Sequence, residues 1–167
     1  MTIKMIICTG LNGEIGYSDG RLAFDCPEDM KYFKEQTTGH NVVMGRKTFE
    51  SLPFKNGLPD RINHIVTSDP SGIPLGLSTG DVETMKGVLP IYNSLGGKDT
   101  WIIGGASIYE QFLDMVEEIH YTTILKSNAE ADVRFDMQFL SNGKWKNVSN
   151  KVLSKDATVT VWKRKTK

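Results

Sequence analysis

The sequence is poor in cysteine: Cys8 and Cys26 are the only two among 167 residues. They are not spaced like a metal-ligand pair, which excludes a zinc-ribbon protein or a disulfide framework. Thiols set in apolar or half-buried positions point to a reducing compartment, and so to the cytoplasm. No apolar run is long enough to span a membrane, and the one in MTIKMIICTG is too short for a secretion-signal core. Without such a signal, Asn147-Val148-Ser149 fits the glycosylation pattern only by chance. An excess of one charge is missing too. Lys and Arg number 20, as do Asp and Glu, so no whole-molecule field draws the chain to nucleic acid or anionic lipid. The basic end from Lys163 to Lys167 reads as a solvated tail. The three histidines, His40, His64 and His120, lie in unrelated contexts. No nucleophile has a visible base, and no metal site is expected.

What is present is an ordinary globular mix, 39% hydrophobic and 24% charged, sized for a single domain over 1–167. The apolar runs are short and rich in β-branched residues: Ile3 to Cys8, Asn41 to Met44, Ile62 to Thr67, Trp101 to Ile103 and Ile119 to Leu125. Several are apolar at successive positions, as strands covered on both faces should be. Helical patterns alternate with them over Cys26 to Thr37, Lys47 to Ser51, Val88 to Leu95 and Ser107 to Val116. Asp25 with Glu28 reads as a capping box for the first, with Pro27 in its opening turn. In the third, Pro90 falls early, where proline is tolerated. Asp69 to Asp81, rich in Gly, Pro and Ser, reads as loop.

Such alternation predicts a three-layer αβα architecture with a mostly parallel central sheet. Lys144 to Lys151 and Thr158 to Lys163 alternate apolar and polar residues around Ser154-Lys155-Asp156, which adds an antiparallel C-terminal hairpin.

Three local features can carry chemistry. Ile102-Ile103-Gly104-Gly105-Ala106-Ser107-Ile108-Tyr109 runs from a strand through two glycines into a helix, and bare backbone there can approach a phosphate. Val42-Val43-Met44-Gly45-Arg46-Lys47-Thr48-Phe49 repeats the turn with two cations and a hydroxyl. Arg46 can grip phosphate oxygens in a fork, and Lys47 can act as a point charge. Two such turns in one sheet suit a dinucleotide at the carboxyl ends of the strands. The third feature is Asp29, on the apolar side of the first helix with Met30 and Phe33. A carboxylate against hydrophobic walls can hold a proton near neutral pH. Each feature also has a plain alternative: a tight turn, exposed basic residues, or an acid favouring the helix dipole.

Taken in order, these segments resemble the dihydrofolate reductase family, from about Ile3 to Phe135. The resemblance is carried by Asn12-Gly13-Glu14-Ile15-Gly16, Phe24-Asp25-Cys26-Pro27-Glu28-Asp29-Met30, Val43 to Ser51, Leu58-Pro59-Asp60-Arg61 and Ile103 to Tyr109. It implies an NADPH-dependent reduction of dihydrofolate in support of one-carbon metabolism and thymidylate synthesis. It also implies a sheet of about eight strands, a cofactor-binding part over about 41–110, and a monomer. By resemblance Asp29 binds the pterin and promotes N5 protonation, with the Thr122 hydroxyl beside it. Ile6, Cys8, Met30, Phe33, Leu52, Leu58 and Ile103 wall the substrate, Tyr109 at the end of the second glycine turn also binds it, and Arg61 pairs with its glutamate carboxylate.

On the cofactor side the same resemblance implies Ile7, Ile15, Gly16, Gly45, Arg46, Lys47, Thr48, Thr67 and Ser68. Gly104, Gly105, Ala106, Ser107 and Ile108 complete that set, the two glycines being joined by a cis peptide. Arg46 and Lys47 would meet the 2′-phosphate, and Gly16 to Ala23 would form the loop closing over the nicotinamide. The chain departs from the family's usual bacterial pattern at Ala23-Phe24, where Pro-Trp is common. Phe24 keeps the apolar wall and loses an indole donor. The loop Gly16 to Ala23 is also a residue longer than in many bacterial members. Two other readings are weighed: a reductase of related fold acting on a pyrimidine or pterin intermediate, which would lack Asp29 and its helix, and a folate- or nucleotide-binding module without catalysis, for which only Phe24 speaks.

Overall fold

The computed structural model describes residues 2–167. Its framework is an eight-stranded sheet. In chain order the strands are β1 (Ile3–Thr9), β3 (Asn41–Gly45), β4 (Ile62–Val66), β5 (Ser78–Gly80), β6 (Thr100–Gly104), β7 (Glu118–Ile124), β9 (Trp145–Ser154) and β10 (Ala157–Arg164). The short β2 (Glu14–Gly16) and β8 (Val133–Arg134) pair with each other beside it. The sheet order is β5-β4-β3-β6-β1-β7-β10-β9. Pairings from β5 to β7 are parallel, and the two involving β10 are antiparallel.

Helices α1 (Pro27–Thr37) and α2 (Arg46–Ser51) cover one face, and α3 (Val82–Ser94) and α4 (Ala106–Phe112) the other. The alternation within β1 divides the core accordingly. Ile3, Met5 and Ile7 pack with Met85, Leu89 and Phe112, whereas Ile6 packs with Tyr32, Met44 and Phe49. Strands buried on both faces are what the continuous apolar runs predicted.

The helices hold the corrections. Cys26, not Asp25, is the residue before α1, and no side chain caps it, so the expected capping box does not form. Glu28 instead accepts a long contact from the Cys26 thiol at 3.7 Å. Helix α3 starts at Val82 rather than Val88, because Asp81 caps it by accepting the Thr84 amide at 2.8 Å. Pro90 therefore lies well inside α3, where it deletes one internal hydrogen bond. The segment expected to be loop from Asp69 to Asp81 ends in β5, a three-residue strand on the sheet edge. The last helical pattern divides: α4 closes at Phe112 and Leu113–Met115 forms a tighter 3-10 turn. The C-terminal hairpin forms as expected, turning at Lys155 and Asp156.

This topology places the carboxyl ends of β1, β3 and β6 side by side, with Met44 opposite Gly104. The strand order reverses around them, which is where open α/β sheets bind ligands.

Candidate active site

At those strand ends lies a cleft of about 470 Å³ between α1, α2 and the segment from Gly20 to Cys26. Eight of the nine residues expected to bind the substrate line it: Ile6, Cys8, Met30, Phe33, Leu52, Leu58, Ile103 and Tyr109. Phe24 and Asp29 line it too, as do Ile7, Ile15 and Thr48 from the cofactor set. Its walls are mainly apolar, and Asp29 is the carboxylate set deepest among them.

Asp29 sits in the first turn of α1, half-buried. Burial pushes its carboxyl above the ordinary aspartate range. The Thr122 hydroxyl and Cys8 thiol lie close enough to pull the other way. They are register partners on β7 and β1, which explains why both reach Asp29. Neither completes a hydrogen bond of good geometry, and the buried Thr122 Oγ1 has no partner. Thr122 thus backs the carboxylate from beneath the cleft, and its free hydroxyl is a donor in reserve. The Cys8 thiol is itself pushed far up, by burial first and then by the Asp29 charge, so it is no nucleophile.

Tyr109 has a structural task at the cleft floor. Its hydroxyl bridges the carbonyls of Ile6 at 2.8 Å and Ile103 at 2.9 Å, tying β1 to β6. Leu58 is held by Asn63, whose side chain accepts the Leu58 amide and donates to the Leu58 carbonyl, both at 2.9 Å. Arg61, the ninth expected substrate residue, stands outside the cleft lining. Thr37 Oγ1 accepts its Nε at 2.9 Å, and its guanidinium lies 5.8 Å from the Phe33 ring centre. That fixes a forked cation beyond the Phe33 wall.

The glycine turns fall where the sequence put them. Gly45 precedes α2 and Gly105 precedes α4, and the Gly104–Gly105 peptide is cis. A methyl group on Gly45 would come 3.1 Å from Ile108, and one on Gly104, whose φ is +116°, would press on the Tyr109 ring at 3.1 Å. Beside Gly105 only Thr48 Oγ1, at 3.8 Å, is near, so open space faces that backbone. Two side-chain-free turns, one of them fronting open space at Gly105, suit a pyrophosphate. Ala106, Ser107 and Ile108 begin α4, Ser107 being exposed. With six and seven residues, α2 and α4 offer amides and little dipole.

The expected 2′-phosphate group is more occupied than predicted. Lys47 is exposed, as is Ser68. Arg46 instead donates to Glu50 at 2.7 Å and to the carbonyls of Asp69 and Ser71. Thr67 donates to the same Asp69 carbonyl at 3.0 Å.

Residues 16–23 fold back on themselves, with Tyr17 N donating to Arg21 O at 2.9 Å and Ala23 N to Ile15 O at 3.1 Å. Gly16 admits the close return strand, since a methyl group there would meet the Arg21 carbonyl at 2.4 Å. The loop tip, Gly20, rests on the Lys47 carbonyl and so bridges to α2. Two residues with no role assigned from the sequence hold this loop. Asn128 Nδ2 donates to Ala23 O at 2.8 Å and Tyr17 Oη at 2.9 Å, and Glu14 accepts the Asn128 amide at 2.6 Å.

Fold and cleft define an α/β protein with an apolar, carboxylate-bearing cleft at the strand ends and two glycine turns beside it. A family model described as dihydrofolate reductase matches residues 2–164. The dihydrofolate reductase of Bacillus subtilis is 36% identical over 154 residues, covering 92% of this chain and 86% of that protein. That of Staphylococcus aureus is 33% identical over 135 residues, covering 81% and 78%. The solved structure of Enterococcus faecalis dihydrofolate reductase, in complex with NADP(H) and RAB-propyl, superposes with a TM-score of 0.80 at 26% identity. That superposition covers 98% of this chain and 96% of the other. The chain belongs to the dihydrofolate reductase family, whose reaction is the NADPH-dependent reduction of dihydrofolate.

Proposed function

We infer that this chain reduces dihydrofolate to tetrahydrofolate with NADPH, with Asp29 as the group that controls the proton. The observation that carries the reading is the half-buried Asp29 carboxyl in an apolar cleft beside two glycine turns. NADPH, when bound, supplies the hydride that goes to C6 of the pterin. Asp29 would take the pterin amino group and N3, and promote protonation at N5, with the unpartnered Thr122 hydroxyl available to the same ring edge. A raised carboxyl pKa supports this, because a general acid works best when its pKa approaches the operating pH. Ile6, Cys8, Met30, Phe33, Leu52, Leu58 and Ile103 exclude water around the pterin and benzoyl rings, and Tyr109 keeps their strands in register. Phe24 completes the wall without an indole donor. Arg61 would take the glutamate α-carboxylate in its fork.

On the cofactor side, Gly45, Thr48, Gly104, Gly105, Ala106, Ser107 and Ile108 would border the pyrophosphate. Arg46, Lys47, Thr67 and Ser68 would border the 2′-phosphate. Ile7, Ile15, Gly16 and the loop to Ala23 would cover the nicotinamide. The reading takes 1–167 as one domain, with the cofactor held by about 41–110, acting as a cytoplasmic monomer. Free thiols at Cys8 and Cys26 suit a reducing compartment. Among the described residues, no helix is long and apolar enough to cross a membrane.

The test follows reduced-nicotinamide absorbance with dihydrofolate, with NADH in parallel. Loss that requires both reactants, slows with NADH and stops with methotrexate supports the reading. NADPH binding without turnover would favour a binding module.

A further inference from the structure

We propose that Glu50 sets how strongly this enzyme prefers NADPH to NADH, by competing with the cofactor's 2′-phosphate for Arg46. The inference rests on the reading that Arg46 meets that phosphate.

Glu50 follows Arg46 by one turn of α2, and its Oε1 accepts the Arg46 Nε at 2.7 Å. The two remaining guanidinium nitrogens donate to the Asp69 and Ser71 carbonyls. A guanidinium has five N–H groups, so three are committed before any ligand arrives. The turn they grip is internally braced. Thr67 Oγ1 donates to Asp69 O at 3.0 Å, and the Asp69 carboxylate accepts the Ser71 amide at 3.0 Å. Gly72, with φ +79°, lets the turn lie against Arg46, since a methyl group there would come 3.2 Å from its Nη2.

Glu50 therefore does two things with opposite consequences. It helps to aim the fork, and it brings a negative charge where a phosphate must approach. The two carbonyls decide which effect dominates, because they aim the guanidinium whether or not Glu50 is charged. Glu50→Gln keeps an oxygen acceptor and removes only the charge, so it strengthens the hold on the 2′-phosphate. NADH lacks that phosphate and is indifferent. With the Glu50 side chain 57% exposed, the gain in NADPH over NADH preference is roughly two- to five-fold, the scale of one screened surface pair. It shrinks as salt is raised. Asp69 is a second acid at the same turn, and Asp69→Asn acts in the same direction.

The experiment measures dissociation constants of NADPH and NADH for the parent, Glu50→Gln, Asp69→Asn and Arg46→Ala, at low and high ionic strength. The expected result is tighter NADPH with Glu50→Gln, unchanged NADH, and a gap that narrows in salt. Weaker NADPH would make Glu50 an orienting residue and overturn the proposal, as would an unchanged preference. Arg46→Ala separates the two levels. Equal weakening of both cofactors removes Arg46 from the 2′-phosphate and takes the proposal with it. A loss confined to NADPH, with Glu50→Gln neutral, overturns the competition alone.

Discussion

Glu14 accepts the backbone amide of Asn128 at 2.6 Å although the two residues stand 114 positions apart. The Glu14 carboxylate is only 1% exposed and also takes the Asn12 amide at 2.7 Å, and Asn128 passes the constraint on to Ala23 and Tyr17. The residue next to Ala23 is Phe24, part of the cleft wall. Asn128→Ala removes both bonds to the loop, along with the one its Oδ1 accepts from the Glu130 amide, and leaves the Ala23 carbonyl to find water. An expected loss of about 1–2 kcal/mol in stability accompanies a higher KM for dihydrofolate. Thermal unfolding and steady-state kinetics check both. A variant matching the parent in KM would detach the loop from substrate binding.

Glu14 also makes a pH prediction. Burial alone would raise its pKa, but the amides of Asn128 and Asn12 and the charge of Arg134 outweigh burial and lower it. A carboxyl whose folded pKa lies below its unfolded value stabilises the fold above the unfolded pKa, and that stability is lost as pH falls through the folded one. Glu14→Gln is therefore expected to be less stable than the parent at neutral pH. The difference is expected to narrow below the usual glutamate range, as unfolding curves at both pH values would reveal.

Asp29 has the opposite sign. Its folded pKa is raised, chiefly by burial, so ionising it opposes folding as pH climbs through the aspartate range and beyond. Asp29→Asn is expected to be at least as stable as the parent at neutral pH, while turnover falls by roughly 100-fold or more. The deficit is expected to be smaller at acid pH, where dihydrofolate arrives already protonated. Turnover equal to the parent's at neutral pH would take proton control away from Asp29.

The strands and the glycine turns were legible in the sequence because their signals are local. A strand buried on both faces is a continuous apolar run, and a glycine before a helix marks a turn wherever the chain goes. Glu14, Asn63 and Asn128 were not legible. Glu14 and Asn128 are joined only by the fold, and Asn63 reads as one polar residue in an apolar strand until its bonds to Leu58 are known. Placing Pro90 in an opening turn puts the start of helix α3 at Val88, whereas the Asp81 cap and the packing of Met85 and Leu89 into the core begin it six residues earlier and carry it through Pro90. Strand β5 is not legible, because three half-buried residues, Ser78 to Gly80, carry no periodic signal. Arg46 is legible as a cation at a turn, whereas its bonds to the Asp69 and Ser71 carbonyls exist only in the fold.

Gly10 fixes the approach of Phe24 to the cleft. A methyl group there would stand 2.5 Å from the Phe24 ring and 2.8 Å from the Lys126 carbonyl. The ring can tilt away, but the carbonyl belongs to backbone that also accepts the Leu11 amide at 2.9 Å. Gly10→Ala is thus expected to lose about 1–3 kcal/mol and to weaken dihydrofolate binding more than NADPH binding. Separate titrations with the two ligands decide it.

The clamp on Leu58 gives the last test. Asn63 is 5% exposed, and both ends of its amide are satisfied by the Leu58 backbone. Asn63→Ala leaves that amide and carbonyl unpaired in a buried place, which costs about 1–3 kcal/mol. The same bonds set Leu58 against the cleft and, through residues 58–61, the height of Arg61 beside Thr37. Arg61→Ala disturbs only the second of these. Both variants are expected to raise KM for dihydrofolate with kcat less affected, but only Asn63→Ala is expected to lower the unfolding temperature markedly. If Arg61→Ala leaves KM unchanged while Asn63→Ala raises it, the substrate is held at Leu58 and the Arg61 fork plays no part in binding its carboxylate.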